Sequence, residues 1–186
     1  FKSSKTCIVF GSTWDEDHDL ILKKINSLKN IKIIIAPHKI DINTINQLTK
    51  KLKINYLKLS NYDSSKNSKS NLLIVDSIGL LSTIYSYADI AYVGGGMSTR
   101  GLHNTMEPAV FKIPVIIGKN YQNFKEVKDL VKAGGILSVK SINDFNKKID
   151  FLLSNKKKRE ELGEINYNYI KLNSGATKKV LNKIKI

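Results

Sequence analysis

The residues best suited to chemistry lie at positions 93–126, where three consecutive glycines (residues 94–96) precede His103 and Glu107. Glycine tolerates a positive φ angle and lets a ligand approach the backbone closely. Residues 104–111 are predicted to form a helix, whose unpaired N–H groups and positive dipole end suit an anion. A carboxylate near that end can accept hydrogen bonds from two vicinal hydroxyls. The pattern therefore indicates a phosphate at the helix end and ribose hydroxyls on Glu107.

Polar turns follow three other apolar runs, and the first two have two interpretations each. Ser12 and Thr13 either face a phosphate or sugar or cap the next helix. His38 is either a basic group beside a nucleotide or a half-exposed turn residue, and its imidazole is mostly neutral at pH 7. Asp76 or Ser77 can cap the helix that follows them. Parallel α/β sheets bind ligands at the carboxyl ends of their strands, where all these turns are expected.

The elements that must position these side chains alternate between apolar runs and helical patterns. Predicted strands cover residues 6–10, 31–36, 55–60, 72–75, 89–93, 114–118 and 136–139. Predicted helices cover residues 15–28, 41–52, 78–87, 104–111, 124–133, 142–153, 155–170 and 176–184. Because the strands are apolar throughout, the pattern predicts one α/β domain with a parallel sheet covered by helices on both faces.

Composition limits the function classes. The 186 residues carry a net charge of +15, which suits nucleic acid or an anionic membrane surface. Lysine is abundant along the whole chain without an aromatic-basic recognition motif, so we interpret the charge as composition bias with some attraction to anionic headgroups. Neither a metal-ligand spacing nor a Walker loop occurs. We therefore expect no metal, no cofactor and no nucleic acid, and the single Cys7 fits a reducing compartment.

The segment resembles the nucleotide-binding region of the Kdo transferases, which move 3-deoxy-D-manno-octulosonic acid (Kdo) from CMP-Kdo onto lipid A precursors. The matching pieces are the glycines at 94–96, the GLHNTMEPA sequence at 101–109, and the PVIIG sequence at 114–118 with Asn120 and Tyr121. Matches extend from about residue 11 to residue 176. The resemblance thus covers nearly the whole chain.

The resemblance implies a Rossmann-like sheet that forms the carboxyl-terminal half of a GT-B glycosyltransferase. Residues 1–186 are then a single CMP-Kdo binding domain. The amino-terminal half, which in the family supplies the general base, the acceptor site and the membrane attachment, is expected to be absent, and the chain begins at Phe1 rather than Met. This chain then contains no catalytic residue and is inactive alone. The whole enzyme is expected at the cytoplasmic face of the bacterial inner membrane.

The family motif, carried over position by position, also implies a set of residues that bind CMP-Kdo. They are Ser12, Thr13, Pro37, His38, Ile78, Gly79, Leu80, Gly94, Gly95, Gly96, His103, Asn104, Thr105, Met106 and Glu107. Leu80 stands where many relatives have Glu, so the resemblance implies only backbone contacts for residues 78–80 with the cytidine. His38 stands where many relatives have Arg, whose guanidinium forks onto phosphate. His103 either contacts the donor or orders its loop.

Two other functions fit parts of the pattern. A GT-B glycosyltransferase that uses a UDP-sugar would employ the same glycine turn and helix-borne glutamate, and competition of CMP against UDP separates the two. A basic nucleic-acid binding module would show salt-dependent DNA retention without nucleotide binding.

Overall fold

The sheet that carries the candidate site has seven strands, all parallel. The computed structural model describes residues 1–63, 70–175, 180–181 and 183–184. The strands are β1 (Cys7–Thr13), β2 (Lys32–Pro37), β3 (Tyr56–Lys58), β4 (Leu72–Ile74), β5 (Ile90–Val93), β6 (Val115–Ile117) and β7 (Ile136–Ser138). The predicted helix at 176–184 lies mostly outside the described residues.

The strand order is β3-β4-β2-β1-β5-β6-β7, so the direction of winding reverses between β1 and β5. In an open parallel sheet such a reversal leaves a crevice at the carboxyl ends of the two strands. Neighbouring residues of β1 point to opposite faces, with Ile8 and Phe10 in one apolar cluster and Cys7 and Val9 in the other. Strands β1, β2, β4, β5 and β6 are therefore buried on both faces, as predicted, whereas the edge strand β3 is partly exposed.

Seven helices cover the two faces within the described residues. They are α1 (Asp15–Ile25), α2 (Ile42–Lys50), α3 (Leu81–Tyr85), α4 (Met106–Ala109), α5 (Lys125–Ala133), α6 (Ile142–Ser154) and α7 (Lys156–Asn173). A 3₁₀ turn covers Leu59–Asn61. The helix and strand order agrees with the prediction, while the lengths of α3 and α4 do not.

Helix α4 is one turn long, not the two turns predicted for residues 104–111. It begins late because the side chain of Asn104 accepts a hydrogen bond from the Met106 N–H at 2.9 Å, which favours a local turn over a helix. It ends before Lys112, which takes a left-handed φ of 58°. The dipole of so short a helix is small, and His103 lies before the helix rather than on a face shared with Glu107.

Helix α7 is anchored at the amino-terminal edge of β6 and β7. The buried Asn166 donates from Nδ2 to the carbonyls of Ile113 and Gly135, both at 2.9 Å. A Cβ placed on Gly163 would lie 2.0 Å from the carbonyl oxygen of Lys112. The helix therefore touches the backbone directly, at the edge of the sheet opposite the candidate site.

This contact makes Gly163→Ala destabilising, although alanine has the higher helix propensity. The backbone must move to admit the methyl group, so we expect a loss of about 1–3 kcal/mol in the free energy of unfolding, measured by urea denaturation. Asn168→Ala, at an exposed position of the same helix, is the control and is expected to change stability by less than ~0.5 kcal/mol. Equal stabilities of the two variants would contradict the packing described for α7.

Candidate functional site

The predicted turns meet at the carboxyl-terminal edge of the sheet. A cavity of about 470 Å³ opens beyond β1, β2 and β4, and its lining includes Ser12, Pro37, His38, Ile78 and Gly79. These residues come from three different parts of the chain. The edge therefore brings together the segments that the sequence singled out.

The buried carboxylate of Asp17 ties the two strands at the winding reversal together. Its Oδ2 accepts hydrogen bonds from the N–H of Trp14 at 2.9 Å and of Gly95 at 3.0 Å, and its Oδ1 accepts one from the Tyr92 hydroxyl at 2.6 Å. Burial, followed by the charge of Asp17, raises the pKa of Tyr92 above its usual range, so the phenol keeps its proton. One side chain thus joins the turn after β1, strand β5 and the glycine turn.

The three glycines at positions 94–96 pack closely against neighbouring main chain. All three are buried, and a Cβ on Gly94 would lie 2.2 Å from the Ser12 carbonyl oxygen. A Cβ on Gly95 would lie 2.1 Å from the Gly101 carbonyl oxygen. The N–H of Gly94 donates to Gly11 and that of Gly95 to Asp17. These two N–H groups therefore have protein acceptors, and Gly96 packs against Gly118.

The two residues with predicted ligand-binding hydroxyls, Ser12 and Thr13, lie in different environments. Ser12 has a positive φ of 52° at a bulge in the pairing with β2 and lines the cavity. Thr13 is 1% exposed, and its Oγ1 lies 2.9 Å from Nε2 of His18. The Thr13 hydroxyl therefore holds α1 in place and does not face a ligand, contrary to the prediction.

An aromatic cluster, which we define as Trp14, His38 and His103, lies beside the cavity. The His38 ring stacks on Trp14 and on His103, with ring centroids 4.3 and 4.4 Å away. Trp14 Nε1 donates to His103 Nε2 at 2.9 Å. Burial, followed by the charge of His38, lowers the pKa of His103 below its ordinary value. At neutral pH His103 is therefore uncharged.

Two cations adjoin the indole of Trp14. The guanidinium carbon of Arg100 lies 4.6 Å from the ring centroid, and Lys39 Nζ lies 5.7 Å from it. Arg100 Nε also donates to Glu16 Oε1 at 3.3 Å. Stacking on an aromatic face and an ion pair restrict the guanidinium before any ligand arrives. The edge therefore offers positive charge next to the cavity.

Glu107 lies at the edge, with its carboxylate between α3 and the turn before α4. Its Oε2 accepts a hydrogen bond from Ser82 Oγ at 2.8 Å, and its Oε1 accepts one from Asn104 Nδ2 at 3.3 Å. A carboxylate has about four acceptor positions, so this one retains capacity for ligand hydroxyls. Its charge, after burial, helps to raise the pKa of the neighbouring Tyr85 above its usual range.

Four other predicted site residues, after β4 and at the start of α4, differ in how far their side chains are exposed. Thr105 is 2% exposed, and the half-buried Met106 side chain packs against the apolar cluster of the β5 and β6 region. Ile78 is 85% exposed and Leu80 is 41% exposed. The side chains of Ile78 and Leu80 therefore lie at the surface of the loop after β4.

Asp76 does not cap α3, whose first residue is Leu81. Its two oxygens accept hydrogen bonds from the N–H and hydroxyl of Ser60 at 2.9 and 2.6 Å. The carboxylate thus joins the loop after β4 to the 3₁₀ turn after β3. It holds the base of the loop that lines the cavity.

Sequence reasoning missed several functional candidates, chiefly Trp14, Asp17 and Ser82. Asp17 reads from sequence as one of three acidic residues in the first turn of α1, where they complement the dipole. Trp14 directly follows the predicted turn, yet its partner His103 is 89 positions away. Only the parallel pairing of β1 with β5 brings these segments together.

Comparison with known proteins identifies relatives of the chain. No protein-family model matches it. A 3-deoxy-D-manno-octulosonic acid transferase from Haemophilus influenzae is 33% identical over 100% of this chain and 45% of its own length. The corresponding transferase from Aquifex aeolicus is 32% identical over 81% of this chain and 42% of its own length. The chain thus spans less than half the length of these curated relatives.

Solved structures share the fold. The C-terminal CMP-Kdo binding domain of WaaA from Acinetobacter baumannii has a TM-score of 0.78 at 19% identity and covers 90% of each chain. WaaG, a glycosyltransferase involved in lipopolysaccharide biosynthesis, has a TM-score of 0.64 at 12% identity, covering 99% of this chain and 48% of its own. The predicted Rossmann-like fold of a GT-B glycosyltransferase half is confirmed. In the described part of the chain no helix is long and apolar enough to span a bilayer.

The bonds of Asp17 lead to a prediction for Asp17→Asn. The amide keeps the shape but replaces one acceptor oxygen by a donor that faces N–H or O–H groups, so we expect a loss of about 2 kcal/mol of stability in urea denaturation. Asp19→Asn, on the same helix, removes only an exposed ion pair with Lys51 and serves as the control, with an expected loss below ~1 kcal/mol. If the Asp17 variant is as stable as the control, the carboxylate does not hold the two strands together.

Proposed function

Because the chain is a homologue of the Kdo transferases, we propose that it is the donor-binding domain of a glycosyltransferase that transfers Kdo from CMP-Kdo to a lipid A precursor. The observation that carries the proposal is the position of Glu107 at the carboxyl edge of the sheet, held by Ser82 and Asn104. Acceptor positions remain on that carboxylate for the two ribose hydroxyls of CMP.

The cavity beside Glu107 suits the rest of the nucleotide. The exposed backbone of residues 78–80 offers donors and acceptors for the cytosine edge, and His38 lines the same cavity. His103 stacks on His38 and lies near enough to Glu107 for the carboxylate charge to act on the His103 pKa. The ribose on Glu107 and the phosphate beside His103 then place the nucleotide along the mouths of β1, β4 and β5.

Phosphate stabilisation in this proposal depends on side chains more than on a helix dipole. The dipole of α4 is small, and its first N–H is bonded to Asn104. Arg100, stacked on Trp14, and the neutral His103 supply charge and a donor instead. A guanidinium that is already restricted loses less conformational entropy when it binds an anion.

The full reaction needs residues beyond this chain. In the proposed transfer a lipid hydroxyl attacks the anomeric carbon of Kdo with inversion, a new C–O bond forms, and CMP leaves with its phosphate oxygen. The proton of the hydroxyl passes to a general base in the other half of the enzyme. Groups that stabilise the departing phosphate at this edge would assist CMP departure. We place the whole enzyme at the cytoplasmic face of the bacterial inner membrane, with the net charge of +15 favouring anionic headgroups.

The role of Glu107 predicts a specific loss in Glu107→Gln. The amide presents one acceptor oxygen and no charge, so we expect CMP affinity to fall by about 2 kcal/mol, or roughly thirtyfold, in calorimetry. Glu164→Gln, which removes an exposed carboxylate on α7 that pairs with Lys112, is the matched control and should leave the affinity unchanged. Equal CMP affinities in both variants would exclude Glu107 from the ribose site.

The identity of the base is tested by competition of CMP with UDP on the unmodified chain. We expect CMP to bind more tightly, because the proposal assigns the backbone of residues 78–80 to cytosine. Tighter binding of UDP would contradict the proposal and indicate a glycosyltransferase that uses a UDP-sugar. Salt-sensitive retention on DNA without binding of either nucleotide would favour a nucleic-acid binding module.

We expect the 186-residue chain to bind CMP yet transfer no Kdo to a lipid A precursor, because the proposed general base and acceptor site belong to the other half. The measurement is product formation with freshly made CMP-Kdo. Transfer by the purified chain would overturn the division of roles.

A further inference from the structure

The hydrogen bond between Trp14 and His103 determines where the His103 ring carries its proton. Trp14 Nε1 lies 2.9 Å from His103 Nε2, and the two ring planes differ by 15°. An indole N–H can only donate, so Nε2 must accept and cannot itself carry a proton. A neutral imidazole has one N–H, which must then be at Nδ1.

Nδ1 of His103 is available to a ligand. Within the described part of the chain, no group forms a hydrogen bond with this atom. The ring is half-buried at the carboxyl edge, it stacks on His38, and the charge of Glu107 reaches it. The ring that carries this neutral N–H donor therefore adjoins His38, which lines the cavity, and lies within reach of the charge of the residue proposed for the ribose.

We propose that Trp14 is a positioning residue that holds His103 as the Nδ1–H tautomer, so that Nδ1 donates a hydrogen bond to a phosphate oxygen of the bound nucleotide. This inference rests on the proposed function, because it takes the phosphate of CMP as the ligand. It assigns a role to Trp14, which is not among the residues that the resemblance implied for CMP-Kdo binding, and it gives His103 a defined donor atom.

Trp14 is well held for this task. Its backbone N–H is bonded to the buried Asp17, its ring stacks on His38, and the Arg100 guanidinium lies over it. The indole orientation is thus constrained independently of the bond to His103. Because the partner of Nε2 is constrained, the imidazole is oriented before the ligand binds, which lowers the entropic cost of binding.

The tautomer is tested by ¹⁵N NMR of the imidazole nitrogens in the 186-residue chain without ligand. The His103 resonances are identified by their loss in His103→Asn. We expect an unprotonated Nε2 and a protonated Nδ1 in the unmodified chain. In Trp14→Phe, which keeps an aromatic ring but removes the donor, we expect signal from the Nε2–H form. A protonated Nε2 in the unmodified chain would overturn the proposal.

The role in binding is tested by calorimetric titration with CMP. Trp14→Phe should lower the affinity by roughly fivefold, the scale of one hydrogen bond. Tyr87→Phe, at an exposed position beyond α3, is the control and should leave the affinity unchanged. An unmodified chain that binds no CMP overturns the proposed function, whereas tight binding by both the unmodified chain and Trp14→Phe overturns only the role of Trp14.

A pair of His103 variants separates the two ring nitrogens without changing Trp14. The side-chain amide nitrogen of asparagine can take the place of Nδ1, whereas that of glutamine reaches the position of Nε2. We expect His103→Asn to retain CMP affinity better than His103→Gln, by roughly fivefold. The reverse order would place the ligand at Nε2 and contradict the inference.

Discussion

The site depends on a single buried carboxylate at the point where the sheet reverses its winding. Asp17 accepts hydrogen bonds from the turn after β1, from the glycine turn and from a tyrosine of β5. A buried charge is tolerated only when its acceptor positions are filled, so these three donors and the carboxylate require one another. The orientation of Trp14, and through it the rest of the aromatic cluster, follows from that arrangement.

Around this carboxylate, the edge of the sheet combines closely packed backbone with partly exposed polar side chains. Glycine residues pack against neighbouring main chain, while Glu107, His38 and Arg100 remain partly exposed around the cavity. Each exposed group has a protein partner that restricts it: Ser82 for Glu107, Trp14 for His38, Glu16 for Arg100. Pre-organised polar groups of this kind bind charged ligands at a smaller entropic cost than free side chains.

Sequence reasoning predicted the layers of the fold because its signal is local. Continuous apolar runs such as β2 predicted buried parallel strands, and the turn at Ser12 and the turn at His38 were correctly placed at one edge. What sequence reasoning did not reveal came from specific side-chain contacts, both local and distant. The Thr13 hydroxyl turns inward to His18, a residue of the adjoining helix α1. The N–H of Gly95 binds Asp17, 78 positions away, because the fold places β5 beside β1. The length of α4 was overestimated because Asn104 competes for its first N–H.

The close approach of Gly94 and Gly95 to neighbouring carbonyl oxygens restricts how this site can be redesigned. Side chains added at those positions would collide with main chain, so randomising them would yield misfolded or unfolded proteins instead of new ligand preferences. The exposed loop positions Ile78 and Leu80 carry no such restriction. Directed evolution of ligand preference at the proposed nucleotide site would therefore begin at these two side chains, with the glycine turn left as it is.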